Sequence, residues 1–298
     1  MHRTAYLLLL LTALFWAGNA IAGKLAVGHI SPLVLTALRW LLAFLCIAVI
    51  GWRQLREDWP VMRDNWLILL ALGTLGFTLF NVALYSALNY TSAINVSIEQ
   101  AGMSMAIVLA NFLIFRIRVT WLQIVGAVVS LFGVIIVATH GAPTRLLSLD
   151  VNRGDALMLI AVLTYSAYTI ALRWKPPIHW KSMMAGLCAG AFITSVPFAI
   201  GEFAYGSGIW PDATGWALMA YIVLFPSLLS QVFYMKGVEM IGANRAGLFT
   251  NLVPIFGTLL SIVVLGEAFE AYHLVAVVLA MGGIWLAEAS GRRASSAG

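Results

Sequence analysis

Apolar residues in this chain neither alternate nor recur at amphipathic spacing; they run almost unbroken in stretches of about twenty, divided by short polar segments. The runs cover 6–23, 32–51, 66–88, 92–115, 119–139, 156–172, 182–201, 213–235, 246–266 and 271–287. Each approaches the roughly 17 to 25 residues that a helix rising about 1.5 Å per residue needs to cross a hydrocarbon layer about 30 Å thick. The pattern predicts an all-α membrane protein with ten transmembrane helices. A membrane strand would show about ten residues of alternating polarity, which these runs do not. Backbone groups in lipid must be satisfied within the segment, and helices do that.

Composition agrees: the 298 residues are 62% hydrophobic and 10% charged. A soluble domain carries about 25% charged residues. The longest connections, 52–65 and 140–155, are too short for a soluble domain, so function is expected inside the membrane. Met1-His2-Arg3, the leucine run and Ala20-Ile21-Ala22 resemble a secretory signal. With nine further runs behind it, the segment reads as the first helix. Cys46 and Cys188 both lie in apolar runs, so neither a disulfide framework nor a thiolate metal site is expected.

The net charge of +5 follows from topology, and nucleic acid is not an expected partner. With a cytoplasmic N terminus, the inner segments hold Arg3, Arg53, Arg56, Arg63, Arg116, Arg118, Arg173, Lys175, Lys181, Lys236, Arg245, Arg292 and Arg293. The outer segments hold Lys24, Arg145 and Arg153. Thirteen cations against three predict two cytoplasmic termini.

The second half repeats the first about 150 positions later: Asn81 meets Gln231, Ala93 meets Ala243, Gln123 meets His273 and Gly133 meets Gly283. Charges swap at equivalent boundaries. Arg116 and Arg118 stand where the second copy has Glu267 and Glu270, and uncharged Ser92 to Asn95 correspond to a segment ending in Arg245. Five spans per copy place the copies in opposite orientations. The expected organisation is a first five-helix repeat over 1–141, an inverted second over 150–291, and a cytoplasmic tail over 292–298. Inverted repeats are typical of secondary transporters that bind solute near mid-membrane and alternate access.

Phe15-Trp16-Ala17-Gly18-Asn19, Pro32 through Arg39, and the stretch from Gly266-Glu267 through His273 to Gly283 resemble the drug/metabolite transporter superfamily of EamA type. The resemblance covers the whole chain and implies two five-helix EamA-like repeats. Phe115-Arg116 departs from it, replacing the Gly-Glu that ends the fourth helix of many such repeats. The aromatic-rich interior is most similar to YddG-type bacterial aromatic amino-acid exporters. That likeness implies export of amino acids and related small metabolites from the cytoplasm. No cofactor is expected, and the chain leaves the oligomeric state open, a monomer being compatible with it.

Polar groups inside spans are costly and usually face a bundle interior or cavity. Glu99 and Arg39 both lie about seven residues from the outer end of their spans, about 10 Å deep, and are candidates for an ion pair or gate. Glu99 is also a candidate cavity group, and Arg39 a candidate helix anchor; a structural polar contact is the alternative for both. Trp16 and Asn19 share a helical face in the first span, as do Tyr165 and Tyr168 in the sixth. They are candidate cavity residues, with bundle packing the alternative. Trp66, Trp121, Trp210 and Trp216 suit an interfacial belt. Asn81 and Gln231 are candidates for binding a zwitterionic head group, with Tyr85 and Asn251 completing the set. Pro197, Pro226 and Pro254 fall inside spans and are candidate hinges.

Other functions find less support. No H-E-x-x-H or other catalytic pattern appears, no G-x-x-x-x-G-K-[ST] loop is present, and no metal site is expected. A passive channel would need a more continuous polar lining. Carriers of drugs or other small metabolites remain open.

Overall fold

The computed structural model describes residues 2–116, 121–139, 141–142, 152–241 and 247–295. Met1, Arg118, Arg145, Ala243 and Arg245, named above, lie outside the described residues. Among the described residues every regular element is a helix. Six helices are long and apolar enough to cross a membrane: α1 (His2–Leu25), α2 (Pro32–Ile50), α4 (Trp66–Ala87), α7 (Arg153–Trp174), α8 (Trp180–Ala204) and α9 (Ala213–Ile241). The remaining apolar runs form four more: α5 (Ala93–Glu99 and Gly102–Phe115), α6 (Trp121–Ala138), α10 (Val253–Leu265, led by a 3₁₀ turn at Gly247–Leu252) and α11 (Ala271–Ser295). A further helix, α3 (Trp52–Asp64), replaces the loop expected between the second and third runs. It is polar overall, with Trp52 and Trp59 exposed and Met62 buried. Its charged residues keep it out of hydrocarbon.

Side chains such as Val49, Leu113, Phe132, Leu163, Ile193 and Val263 point outward, an apolar surface that a bilayer covers and water would not. Trp66, Trp121, Trp210 and Trp216 are exposed at helix ends, the belt position.

Helix pairing obeys a twofold exchange between repeats. In the first, α1 packs on α9 and α10; in the second, its counterpart α7 packs on α4 and α5. The pairs α2–α8, α5–α10 and α6–α11 map onto themselves. The glycines of the last pair show the register directly. A Cβ on Gly133 would meet the Ala276 carbonyl oxygen at 2.7 Å and the Ala280 nitrogen at 2.8 Å. On Gly283 it would meet the Gly126 carbonyl oxygen at 2.4 Å and the Ser130 nitrogen at 2.5 Å. Each glycine thus seats against residues that are 150-position counterparts of those facing the other. Antiparallel backbones come close only because both positions lack a side chain.

Contacts between loops define two faces. Lys24, at the end of α1, donates to the carbonyls of Leu88 and Thr91 at 2.7 and 2.8 Å; Thr91 in turn donates to Asp155, at the start of α7, at 2.7 Å. The second repeat therefore starts at the face where the first and third spans end. This is called the far face; the opposite one, holding His2, is the N-terminal face. Arg116 ends α5 at the N-terminal face, whereas Glu267 caps the start of α5 at the far face.

Candidate functional site

Four of the spanning helices are not regular through mid-membrane, and their irregularities match across the repeats. α4 contains a π-helical stretch at Thr74–Leu79 and α9 one at Val223–Leu229. α5 breaks at Gln100 and Ala101, and α10 begins as the 3₁₀ turn Gly247–Leu252. Such interruptions widen a helix or free backbone groups, and they concentrate at functional sites. Between them lies a cavity of about 550 Å³, in the size range of small-molecule sites.

Arg39 forms its polar wall. On α2 it shares the buried face with Leu35, Thr36, Trp40 and Ala43, and it is only 5% exposed. Nε donates to the Ser227 hydroxyl at 2.8 Å. Nη1 donates to Asn19 Oδ1 and Asn81 Oδ1, both at 2.9 Å, and to the Tyr85 hydroxyl. The Tyr85 hydroxyl donates in turn to Asn19 Oδ1 at 2.8 Å, and Asn81 is held by donating to the Phe77 carbonyl at 2.7 Å. All these partners are neutral. Nη2 has no acceptor among the described residues, and Arg39 is the one charged side chain among the described residues of the cavity wall.

Aromatic rings supply the remaining surface. Trp40 stacks on Phe77 with centroids 4.3 Å apart, and the Arg39 guanidinium lies 4.6 Å from the Trp40 ring centre. Phe77 touches Tyr168, Tyr168 touches Tyr165, and Tyr165 touches Phe80, at centroid separations of 5.8, 5.4 and 5.0 Å. Trp16 meets Tyr234 at 5.5 Å. Gly76 makes room for this cluster: a Cβ there would fall 2.3 Å from the Tyr168 ring. An apolar aromatic box with one unneutralised guanidinium suits an amphipathic solute bearing a negative group.

The wall reaches Leu172, Asn251 and Val253, near the ends of their helices at the N-terminal face. The far end of the bundle is packed and hydrogen-bonded between repeats. Glu202, ending α8, accepts from the Leu33 and Val34 amides at 3.1 Å each, serving as the cap that Ser31 does not provide with its side chain. Glu267 does the same for Ala93 and Ile94 at 2.8 and 2.9 Å. Ser31 and Ile209 exchange bonds between loops, and His29 pairs with Asp212 at 2.7 Å.

The model of the EamA-like transporter family matches this chain twice, over residues 3–139 and 152–288. The chain belongs to the EamA-like transporter family. The two matches place one family unit in each half. An uncharacterized transporter of Bacillus subtilis, YetK, is 24% identical over 284 residues, covering 95% of this chain and 86% of its own. An uncharacterized transporter of Archaeoglobus fulgidus is 26% identical over 293 residues, covering 97% and 99%. A solved crystal structure superposes with a TM-score of 0.66 at 21% identity and covers 98% of each chain, which supports the fold. This protein is a membrane transporter.

Within this EamA-like transporter, Trp16, Asn19, Asn81, Tyr165, Tyr168, Gln231 and Asn251 line the cavity. Tyr85 stands behind the wall, holding Arg39. The Arg39–Glu99 pair is not formed. Equal depth put the two at one level, but depth does not fix direction around a helix: Arg39 turns to Asn19, Asn81, Tyr85 and Ser227, while Glu99 lies outside the cavity wall. Among the described residues the ion pairs are His29–Asp212 and Arg63–Asp64. Pro226 falls in the π-helical stretch of α9 and Pro254 in the first turn of α10 after the 3₁₀ segment; Pro197 is exposed within α8, which stays helical throughout. Sequence reasoning passed over Trp40, Phe77, Phe80, Thr169, Ser227 and Tyr234. The repeat offset marks one of them, since Thr169 is the counterpart of Asn19.

Proposed function

We propose that this transporter is an alternating-access carrier in a bacterial inner membrane. It exports small amphipathic metabolites bearing a carboxylate, with aromatic and other apolar amino acids as the first candidates. The observation that carries this reading is Arg39, a buried cation with neutral partners and one free nitrogen beside an aromatic cavity. A guanidinium in low dielectric attracts a carboxylate strongly, and it orients a planar, bidentate acceptor better than an ammonium would. Rings of Trp16, Trp40, Phe77, Tyr165 and Tyr168 would take the apolar end. Gln100, Gln231 and Asn251 offer amide oxygens to an amino group. The positive-inside distribution makes the N-terminal face cytoplasmic, so the cavity reaches toward the side from which solute is exported. The packed far end matches a carrier waiting for load, and a rocking of one repeat against the other would reverse the arrangement.

Counterflow of labelled aromatic amino acids in proteoliposomes tests the reading. Wild-type flux should saturate and be stimulated by unlabelled solute on the opposite side. Arg39→Gln should weaken apparent affinity about 10- to 100-fold, the loss of one charge-assisted contact of about 1.5–3 kcal/mol. Trp16→Ala combined with Tyr165→Ala should weaken affinity for bulky apolar solutes while sparing small ones. Flux linear in concentration, or undiminished affinity in Arg39→Gln, removes the carrier site from this cavity.

A further inference from the structure

Glu99 is the buried group that the transport cavity does not use. It is 1% exposed, and among the described residues neither carboxyl oxygen has a hydrogen-bond partner or a salt bridge. Helical spacing puts it one turn below Asn95 on one face of α5. Asn95 belongs to a chain of polar contacts reaching the far face. Its Nδ2 donates to Thr91 Oγ1 at 3.1 Å, Thr91 donates to Asp155 Oδ1 at 2.7 Å, and His273 Nε2 lies 3.2 Å from Asn95 Oδ1. On the other side, α5 breaks immediately after Glu99. The two residues of the break, Gln100 and Ala101, both line the cavity. The carboxyl thus stands where the polar chain from the far face meets the cavity wall.

The elements packed around this part of α5 bring Asp155 and, at the rim, Arg153 on α7, His273 and Tyr272 on α11, and Lys24 on α1. Among the described residues none of these forms a salt bridge with Glu99, and the Lys24 ammonium donates to two backbone carbonyls. Glu267 and Glu270 add acidity from the loop before α11, and Glu267 is occupied in capping α5. α6, α10 and the second part of α5 bring no titratable side chain among their described residues. A carboxylate ion taken out of water without donors or a cation is costly, and such groups neutralise instead. The neutral acid is the form this site accommodates.

We propose that Glu99 is a proton-binding site that couples solute movement to a pH gradient. The inference rests on the carrier reading. With the far half open, water reaches Glu99, and the carboxylate takes a proton from hydronium on that side, leaving water; the neutral acid is then sealed as α5 and α10 pack. When solute and water fill the cavity from the N-terminal face, they reach the break that follows Glu99, and the O–H bond breaks heterolytically there: the electron pair stays on the carboxylate and the proton passes to cavity water as hydronium. The anion left beneath the packed far half restores the desolvation cost, which favours reopening of that half with solute aboard. One proton thus moves from the far side to the N-terminal side for each solute exported.

Two measurements separate this inference from the reading it rests on. In purified wild-type protein, infrared difference spectra on titration should show the carbonyl stretch of a buried carboxylic acid, absent in Glu99→Gln; this needs no solute. In proteoliposomes, an imposed pH gradient should drive accumulation in the wild type. Glu99→Gln, isosteric with the acid, should lose that accumulation entirely while keeping counterflow. Asp155→Asn should keep both band and coupling. Counterflow without any response to the gradient in wild type, an unchanged band in Glu99→Gln, or transfer of both losses to Asp155→Asn overturns the proposal. Absence of counterflow for every solute counts against the carrier reading, and the infrared band then decides Glu99 alone.

Discussion

At the far face the two repeats are tied to each other by carboxylates and loop backbones, whereas at the N-terminal face the described ties between them are peripheral. The far face has Glu202 capping α2, Glu267 capping α5, the Ser31–Ile209 exchange, the His29–Asp212 pair, and Asn152 donating to the Tyr90 carbonyl at 2.9 Å. At the N-terminal face, Asp58 accepts from the His179 amide at 2.9 Å and Lys181 donates to the Ile50 carbonyl at 3.4 Å, the latter at the outer limit of a hydrogen bond. The cavity lies toward the less tied end. The difference shows that closure of one end is a matter of helix capping across repeats. Each carboxylate satisfies two orphan amides of a helix in the other repeat, so opening that face exposes helix starts along with apolar surface.

Removing both caps should change this balance most. A lost acidic cap costs about 0.5–2 kcal/mol, and the two caps serve different helices with no shared partner, so their losses should add. Glu202→Ala combined with Glu267→Ala should therefore shift the closed-to-open ratio at the far face by about 5- to 700-fold, since about 1.4 kcal/mol is a factor of ten. A membrane-impermeant thiol reagent applied from the far side reads this in a variant with Gln100→Cys and the two native cysteines replaced. Labelling should accelerate in the double cap variant, and each single variant should give part of the gain. Equal labelling in all would mean that apolar packing, and not capping, keeps the far end shut.

Much of this architecture was legible before any coordinate. Ten apolar runs, the 150-position offset and the matched Gly133 and Gly283 follow from composition and spacing, because lipid forces backbone bonds inside each helix and leaves length as the readable quantity. Pairs three residues apart, such as Trp16 with Asn19 and Tyr165 with Tyr168, came to one cavity because a single helix fixes their common face. Relations between helices were not readable. Arg39 and Glu99 lie at one depth yet point apart, and nothing in either segment encodes the rotation of α2 relative to α5. The π-helical stretch Thr74–Leu79 contains no proline, while its counterpart holds Pro226, so proline marked one irregularity and was silent on the other. α3 hid for a further reason: a polar surface helix with Pro60 near its end has the composition of a loop.

The smallest effect belongs to the exposed pair at the far rim, and it sharpens the comparison because pH alone can switch it. Asp212 caps α9 through the Gly215 amide at 2.8 Å and meets His29 at 2.7 Å; these bonds, the Gly215 amide foremost, hold its carboxyl below the usual carboxylate range. A carboxyl depressed in the folded protein adds stability above its unfolded value, and that stability is lost as pH falls through the lower folded value. Thermal melting in detergent should show Asp212→Asn slightly less stable than wild type at neutral pH, with the two curves converging in acid. Solvent screens so exposed a group, so the gap should be smaller than that of either buried-rim cap, Glu202 or Glu267. A gap that persists undiminished in acid would assign the contribution of Asp212 to the shape of its loop and not to its charge, and the far face would then owe its closure to the two glutamates and the Ser31–Ile209 exchange.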